Sequence, residues 1–266
     1  MREVTGSSTY YGGSYDEGEA HCHPLNYALG IAEAALSMGA KLYENSSALS
    51  YKVSDNHVRV TTKNGSIKAD RVILACNGYL GNLEKGLTSK ILPMNNYIVA
   101  TKPLDDETVK RINPRDIAFA DSRFVINYFR MSADKRLLFG GGENYSQELS
   151  KNIVPIVTRP LEKIYPFLKG IKIDYAWGGK LAITMNRLPF FTTLKNERVI
   201  SAQGYSGQGV ALASYSGKIV SEKILGSGET FDLMAKIPRQ SFPGGRFLRN
   251  PSMKLGMLYY SLLDRI

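Results

Sequence analysis

The sequence predicts a mixed α/β (α+β) fold, and three observations support that prediction. Two apolar segments, at 71–76 and 198–202, each end in a turn that contains glycine, as buried strands of a parallel sheet do. Apolar residues recur at helical spacing over 24–39, which places a helix ahead of the first of these strands. Three central segments instead combine aromatic and β-branched residues in the manner of antiparallel strands, at 96–101, 124–131 and 136–140.

The first third of the chain alternates helical and extended patterns. The helix over 24–39 ends at Gly39, and the residues 41–44 that follow predict a short strand. Residues 57–62 alternate valine with polar residues, and the Asn-Gly turn within 63–66 returns that strand as a hairpin. The nearly continuous apolar run at 71–76 predicts a parallel strand that is buried on both faces.

The rest of the chain predicts an antiparallel region followed by a return to α/β structure. Residues 132–135 connect the strands on either side as a hairpin, and the three glycines at 140–142 predict a sharp bend. A helix is expected at 156–168 and a strand at 171–177. A strand at 198–202 and a second long helix then follow.

These patterns predict two domains, one of them discontinuous. The outer segments, 1–92 and 190–266, form the α/β domain, and the central segment 93–189 forms the antiparallel one. The chain crosses between them near Pro93 and Pro189.

The end of the chain, at 253–266, has apolar residues along one helical side. We expect it to pack against the body or a partner subunit rather than on a membrane.

Composition narrows the function classes. The net charge is +10, but lysine and arginine are spread along the chain without a nucleic-acid-binding motif, so we expect no nucleic-acid partner. Cys22 and Cys76 form no disulfide framework, and the first residues show no signal-peptide core. Both observations favour the cytoplasm. His21, Cys22 and His23 lie close in sequence, but they lack further ligands, and we expect no metal.

The segment 202–210 is the strongest candidate for a binding site. An apolar strand runs into Gly204, Gly207 and Gly209, and a helix follows at once. Glycines let the backbone approach a ligand closely, and a helix N-terminus offers free N–H groups with partial positive charge. The pattern suits a phosphate, a carbonyl or the electron-rich edge of a flavin. An ordinary strand-to-helix turn is the alternative.

An ordered series of segments resembles the D-amino-acid-oxidase-like family of FAD-dependent oxidoreductases. The series comprises 12–13, 21–25, 39–44, 69–78, 100–104 and 204–210. Three further segments resemble the gamma-glutamylputrescine oxidase branch of that family, at 130–142, 172–179 and 242–246. The fold that this resemblance implies is a partial FAD/NAD(P)-binding-type domain, at 1–92 and 190–266, with an antiparallel-sheet substrate domain at 93–189.

The resemblance also implies which residues meet the cofactor. Ala48 is a main-chain contact near the adenine, and Ala75, Asn77 and Gly78 lie near the ribityl or pyrophosphate side. The isoalloxazine ring and its O2 edge are lined by Gly204, Tyr205, Ser206, Gly207, Gln208, Gly209 and Val210. The lysine and cysteine positions that one branch uses for oxygen activation and covalent attachment are absent, so FAD is expected to be noncovalent.

The activity that the resemblance implies is oxidation of a small-molecule amine by O2 to an imine or aldehyde, with release of hydrogen peroxide. His23 is the candidate proton acceptor, although it also suits a helix start before Pro24. Trp177 either packs in the core or forms an aromatic wall beside the substrate. Arg187 is close to the Gly-x-Arg-Pro setting of amino-acid oxidases without matching it, which favours an amine over an amino acid.

No Gly-x-Gly-x-x-Gly unit follows an N-terminal strand in this sequence, whereas members of the family hold the FAD pyrophosphate with one. We therefore expect a truncated C-terminal part of an enzyme that binds FAD weakly or not at all by itself. Bare sheet edges and apolar surface predict self-association or a complementing N-terminal chain. The alternative function is a non-catalytic remnant or interaction module that holds no flavin.

Overall fold

A computed structural model describes residues 1–123, 125–144 and 148–243, and the single residues 245, 251 and 255, with no account of the side chains at 142–144. Phe124, the first residue of one predicted strand, lies outside these residues. The predicted helix at 253–266 also lies outside them except for Leu255.

The described chain alternates short helices with strands. The helices are α1 Arg2–Thr5, α2 Pro24–Ser37, α3 Lys85–Thr88, α4 Asp106–Ile112, α5 Val154–Ile164, α6 Gly209–Leu225 and α7 Glu229–Ala235, with 3₁₀ turns at Asn77–Tyr79 and Pro166–Leu168. The strands are β1 Ser50–Val53, β2 Val58–Thr61, β3 Ser66–Ala69, β4 Val72–Leu74, β5 Leu92–Thr101, β6 Phe119–Ala120, β7 Tyr128–Met131, β8 Leu137–Asn144, β9 Ile173–Ile183, β10 Phe190–Leu194 and β11 Val199–Gln203. The predicted mixture of helices and sheets is confirmed.

Contacts divide the chain into two compact units. The first contains Met1–Tyr27 and Asn95–Gly179, and the second contains Ala28–Met94 and Lys180–Met253. The predicted division grouped 1–92 with 190–266 and kept 93–189 apart, and it differs from these units at residues 1–27, 93–94 and 180–189. None of the described helices is both long and apolar enough to cross a membrane.

The first unit is built on a five-stranded sheet in the order β6-β7-β8-β5-β9. The pairs β6–β7, β7–β8 and β8–β5 are antiparallel. Helix α5 packs on this sheet and contributes Val157, Leu161 and Ile164 to its core. In that core the rings of Phe129 and Phe139 stack with centroids 5.5 Å apart. Aromatic residues on neighbouring strands thus hold the antiparallel sheet together.

The predicted hairpin between β7 and β8 is confirmed, and the glycines at 140–142 lie within β8 and do not end it. Strand β8 continues through residues 140–142 to Asn144, with a register shift opposite Asn95 and Tyr97. Gly140 serves close packing instead, because a Cβ there would lie 2.1 Å from the Tyr128 ring. Gly140 therefore makes room for a cross-strand aromatic ring without ending the strand.

The second unit contains two three-stranded sheets, in the orders β1-β2-β3 and β10-β11-β4. Strands β4 and β11 are parallel, which confirms that prediction, while β10 and β11 are antiparallel. Helices α6 and α7 cover one face of β10 and β11 through Phe191, Ile200, Ala202, Ile219, Val220 and Phe231. Strand β11 is buried along its whole length. This sheet positions the candidate site.

Two sequence predictions for the second unit need correction. Residues 41–44 form no strand, because in the described part of the chain no neighbouring strand offers them hydrogen-bond partners. Strand β4 is not buried on both faces, since Ile73 is 47% exposed. Helix α2 forms where predicted, but it buries none of its side chains.

Candidate functional site

Two loops meet at the carboxyl edge of the β10-β11-β4 sheet. Strands β4 and β11 run parallel in a register that pairs Val72 with Val199 and Leu74 with Ser201, so both end at the same edge. The loop after β4 begins at Ala75, and the loop after β11 begins at Gly204. In open α/β sheets, ligands bind outside the carboxyl ends of the strands. This edge is therefore the place where a ligand site is expected.

A side-chain hydrogen bond joins the two loops. The Gly204 N–H donates to Oδ1 of Asn77 at 3.1 Å. Asn77 has φ of 45°, a left-handed conformation that asparagine tolerates better than most residues. The next residue, Gly78, is buried, and a Cβ there would lie 2.6 Å from the Lys180 carbonyl oxygen. Asparagine therefore suits the conformation and the hydrogen bond at position 77, and glycine is needed at position 78 for steric reasons.

The first half of the glycine loop is held by the end of β9. The Ser206 N–H donates to the Ala182 carbonyl at 2.9 Å, and Ser206 Oγ lies 3.3 Å from Thr184 Oγ1. Gly204 has φ of 83°, and a Cβ there would lie 2.5 Å from the Thr184 methyl group. The Tyr205 hydroxyl donates inward to the Ala202 carbonyl at 3.1 Å. These bonds fix the loop before any ligand arrives.

The second half of the loop faces open space. Gly207 has φ of 101°, and a Cβ there would meet no atom within 4 Å. Helix α6 begins at Gly209 after Gln208, whose side chain makes no capping bond. The first-turn N–H groups of an α-helix have no acceptor within the helix, and they carry its partial positive charge. The open backbone at Gly207 beside an uncapped helix start can accept the oxygen-rich edge of a flavin or a phosphate, so the residues present fit FAD.

A buried carboxamide lies directly before the loop. Gln203, the last residue of β11, is 0% exposed, and neither its Oε1 nor its Nε2 has a hydrogen-bond partner among the described residues. It is paired across the sheet with Phe190. An unsatisfied buried amide costs free energy, about 1–3 kcal/mol. Gln203 falls within the candidate segment 202–210, but the sequence did not indicate that its amide is buried without a partner, which depends on what surrounds it in the fold.

The remaining cofactor candidates lie in the second unit with the glycine loop. Ala75 is exposed directly after β4, at the same sheet edge, while Asn77 is half-buried. Ala48 is exposed two residues before β1. Val210, the second residue of α6, is 50% exposed. The structure therefore brings Ala75, Asn77 and Gly78 together with the glycine loop, and sets Ala48 in a separate segment.

The two catalytic candidates, His23 and Trp177, belong to the first unit. His23 is exposed, and its Nδ1 lies 3.2 Å from the Asn26 N–H. The ring therefore occupies the position of a helix cap at the start of α2. Trp177, on edge strand β9, is 44% exposed. Trp177 therefore does not pack in the core, and among the described residues β9 is an edge strand that pairs with β5 only.

The neighbouring polar residues have bonds of their own. The His21 ring lies 3.0 Å from the Asp116 carbonyl oxygen. Arg187 is exposed in a turn, with φ of 62°, and its N–H donates to the Thr184 carbonyl at 3.2 Å. Within the described residues, no group of three or more His, Cys, Asp or Glu side chains is arranged to hold a metal ion.

Sequence reasoning identified the glycine loop and Asn77. It missed Thr184, the residue after β9 that supports the glycine loop. Thr184 contacts Gly204 and Ser206 from a position some twenty residues earlier in the chain. A lone threonine at the end of a strand has no sequence signature. The fold alone shows that it supports the loop.

Comparison with known proteins agrees with this geometry. The sequence profile described as FAD dependent oxidoreductase (DAO) matches residues 1–223. The chain is 41% identical over 260 residues to "Probable oxidoreductase OrdL" of Rhizobium meliloti (strain 1021), covering 98% of this chain and 60% of that protein. It is 36% identical to the gamma-glutamylputrescine oxidoreductase of Escherichia coli (strain K12), covering 100% of this chain and 62% of that protein.

The fold is also similar to that of a solved flavoenzyme. The glycine oxidase of Geobacillus kaustophilus superposes with a TM-score of 0.66 at 21% identity, covering 80% of this chain and 57% of that one. The chain thus spans about 60% of the length of the curated relatives it matches. On the profile match and these identities, the chain belongs to the DAO family of FAD-dependent oxidoreductases.

Proposed function

We propose that this protein is the substrate-binding and flavin-edge part of an FAD-dependent amine oxidase of the gamma-glutamylputrescine oxidase type. The observation that carries the proposal is the uncapped start of α6 beside Gly207, where the backbone faces open space. Its 36% identity to a gamma-glutamylputrescine oxidoreductase supports the choice of substrate class. A small-molecule amine is therefore the proposed substrate.

The flavin-facing residues act by position and partial charge. When bound, FAD would supply the acceptor for a hydride equivalent from the carbon beside the amine nitrogen, and O2 would then reoxidise the flavin. The N–H groups of Gly209 and Val210, at the start of α6, would stabilise negative charge on a cofactor held there. The Asn77–Gly204 and Ser206–Thr184 contacts hold those groups in place, so little reorganisation is needed.

The roles proposed for His23 and Trp177 follow from their accessibility. The exposed indole of Trp177 offers an aromatic surface to a cationic amine or its aliphatic chain. His23 is accessible to a substrate proton, but Nδ1 accepts the Asn26 N–H bond, so its neutral ring carries hydrogen on Nε2. Taking up a proton would then require Nδ1 to give up the cap. Proton transfer at His23 is thus coupled to the start of α2.

We propose that the cofactor is held without a covalent bond. Both cysteines are free thiols, and burial raises the pKa of Cys76, which keeps it protonated and a poor nucleophile. Free thiols also favour the reducing cytoplasm as the compartment. Acid precipitation of the loaded protein should leave all the yellow flavin in the supernatant.

The test of the proposed activity is amine-dependent hydrogen peroxide formation. The chain is incubated with FAD and O2, alone and with the unmatched part of the Escherichia coli relative, and offered gamma-glutamylputrescine, putrescine or glycine. Peroxide formation with gamma-glutamylputrescine above glycine is the expected result. The same rate with all three, or none with any, would contradict the proposal.

The second candidate function is an interaction module that holds no flavin. The apolar helix α2, which buries no side chain, favours it, because such a surface suits a protein partner. A chain that binds a partner protein and never binds FAD, alone or in complex, would have this second function instead.

A further inference from the structure

A small pocket lies in the second unit beside the turn that connects β9 to β10. It contains about 240 Å³ of empty space, part of it open to solvent. Cavities that bind drug-sized ligands measure about 300–1,000 Å³, so this one suits a smaller molecule. Its walls come from that turn, from Lys90 before β5, and from the segment 237–240 after α7, all of which belong to the second unit.

Hydrogen bonds hold the segment 237–240 in place beside the pocket. The Asn186 side-chain amide donates from Nδ2 to the Pro238 carbonyl at 3.3 Å. The Lys90 ammonium donates from Nζ to the Arg239 carbonyl at 3.0 Å. The walls are therefore joined before any ligand arrives, which lowers the cost of ordering them on binding.

Two cationic side chains line the pocket without a carboxylate partner. Among the described residues, no carboxylate oxygen lies within 4.0 Å of a side-chain nitrogen of Lys90 or Arg239, and no acidic residue is part of the lining. Lys90 uses two of its three donors, on the Arg239 carbonyl and the Ser241 hydroxyl. Arg239 uses one of its five, from Nη1 to the Phe191 carbonyl at 3.4 Å. Positive charge and N–H donors thus remain for an anion.

The other walls of the pocket are largely apolar. They are formed by Met185, Pro189, Phe190, Ile237 and Pro238. An inorganic oxyanion would use the two cations and leave these walls in contact with water. Burial of apolar surface contributes about 25 cal/mol per Å², so an anion that carries an aliphatic chain gains from both parts of the lining.

We propose that this pocket binds a small organic acid, with its carboxylate at Lys90 and Arg239 and a short aliphatic chain against the apolar walls. A guanidinium group matches the two oxygens of a carboxylate, and an ammonium group adds a compact positive charge. Arg187 lies in the same turn but outside the lining, and so does the glycine loop. The site is therefore separate from the proposed flavin site and does not rest on the proposed function.

The pocket shares one residue with the support of the glycine loop. Thr184 lines the pocket, and its Oγ1 donates to the Leu188 carbonyl at 2.8 Å and lies 3.3 Å from Ser206 Oγ. An acid that fills the pocket restrains the turn that holds Thr184, and through it Ser206. We therefore expect hydrogen exchange at the Ser206 amide to slow when the acid binds.

The experiment is a calorimetric titration of the 266-residue chain with butyrate, at constant ionic strength so that screening does not change. Butyramide has nearly the same shape without the charge, and inorganic phosphate has the charge without the aliphatic chain. Comparing the three separates a requirement for charge from a requirement for apolar contact.

The variants are Lys90→Gln and Arg239→Gln, which each remove one charge from the pocket. Lys236→Gln, at an exposed position outside the lining, is the matched control. Arg239→Gln keeps the backbone carbonyl that Lys90 binds, so it tests the charge without removing that bond. Circular dichroism confirms that all three variants fold.

The expected result is saturable binding of butyrate, with butyramide and phosphate each weaker by about tenfold or more. Each lining variant should weaken butyrate binding about fivefold, since it removes charged donors, and Lys236→Gln should not. No saturable binding, equal binding of butyrate and butyramide, phosphate binding as tight as butyrate, or no effect of either lining variant would each overturn the inference. Butyrate binding with unchanged exchange at Ser206 would overturn the link to the glycine loop.

Discussion

The Gly204 N–H donates to the Asn77 side-chain oxygen at 3.1 Å, across 127 positions of the sequence. This bond ties the loop after β4 to the loop after β11, at the edge where two parallel strands end. Because each loop limits the movement of the other, the uncapped start of α6 is held in one orientation. The shape of the candidate site therefore depends on a residue outside the glycine loop.

Replacing Asn77 separates the effects of this bond and of backbone conformation. Asn77→Gly keeps the positive φ but loses the acceptor, and we expect it to lower the free energy of unfolding by about 1 kcal/mol. Asn77→Ala adds conformational strain and should cost roughly 1 kcal/mol more. Urea denaturation measures both values. Equal stabilities for the two variants would contradict the role assigned to φ.

Replacing Gln203 tests whether its buried amide is unsatisfied. Gln203→Met keeps a similar size and removes the two polar atoms, so we expect the free energy of unfolding to rise by about 1 kcal/mol. Thermal denaturation of the variant and the wild type gives the comparison. Ser201→Ala, two residues earlier on the same strand face, is the control. It removes a hydroxyl that donates to the Leu74 carbonyl, and should be neutral or destabilising. Destabilisation by Gln203→Met would show that the amide has a partner.

Three basic residues lie side by side across the β1-β2-β3 sheet. Arg59 is directly opposite both Lys52 and Lys68, and like charges in that arrangement repel. We expect Arg59→Glu to stabilise the protein by roughly 0.5 kcal/mol at low salt, and by less at high salt because the charges are screened. Melting temperatures in two salt concentrations test this. A stabilisation that does not change with salt would point to another cause.

Acid stability should depend on Asp174. Hydrogen bonds from Arg136 and Lys172, with their positive charges, lower the pKa of this carboxyl in the folded protein. A lowered folded pKa gives stability that is present above the unfolded value of about 3.9 and lost as pH falls through the folded value. Asp174→Asn should flatten the decline of the urea midpoint below pH 4. An unchanged slope would mean that the ion pair contributes nothing measurable.

Local patterns in the sequence predicted the parts of the fold that depend on neighbouring residues. Helix α2, the β2–β3 and β7–β8 hairpins, and the β11–glycine–α6 segment all lie where their residues indicated. Strand β10 and helices α4 and α7 were missed, because they are short and carry weak periodicity. The strand at 41–44 was predicted and does not form, because a strand also needs a partner.

The same distinction between local patterns and distant contacts applies to the candidate site. The glycines at 204, 207 and 209 were visible as a motif, whereas the support from Thr184 and the burial of Gln203 depend on contacts between distant segments. The sequence offered two roles for His23, as a proton acceptor and as a residue at a helix start. The hydrogen bond from the Asn26 N–H to its Nδ1 shows the helix-start role. Its catalytic role stays a prediction.

The most direct test of the central claim is a flavin titration of three proteins, alone and together with the part of the Escherichia coli relative that lies outside the match. Val210→Glu puts a negative charge at the start of α6, where it favours the helix dipole but repels an electron-rich ligand; Leu225→Glu adds the same charge at the far end. We predict weak FAD binding by the wild-type chain, tighter binding together with that part, and loss with Val210→Glu only. Equal binding by all three proteins would contradict a flavin site at this helix start.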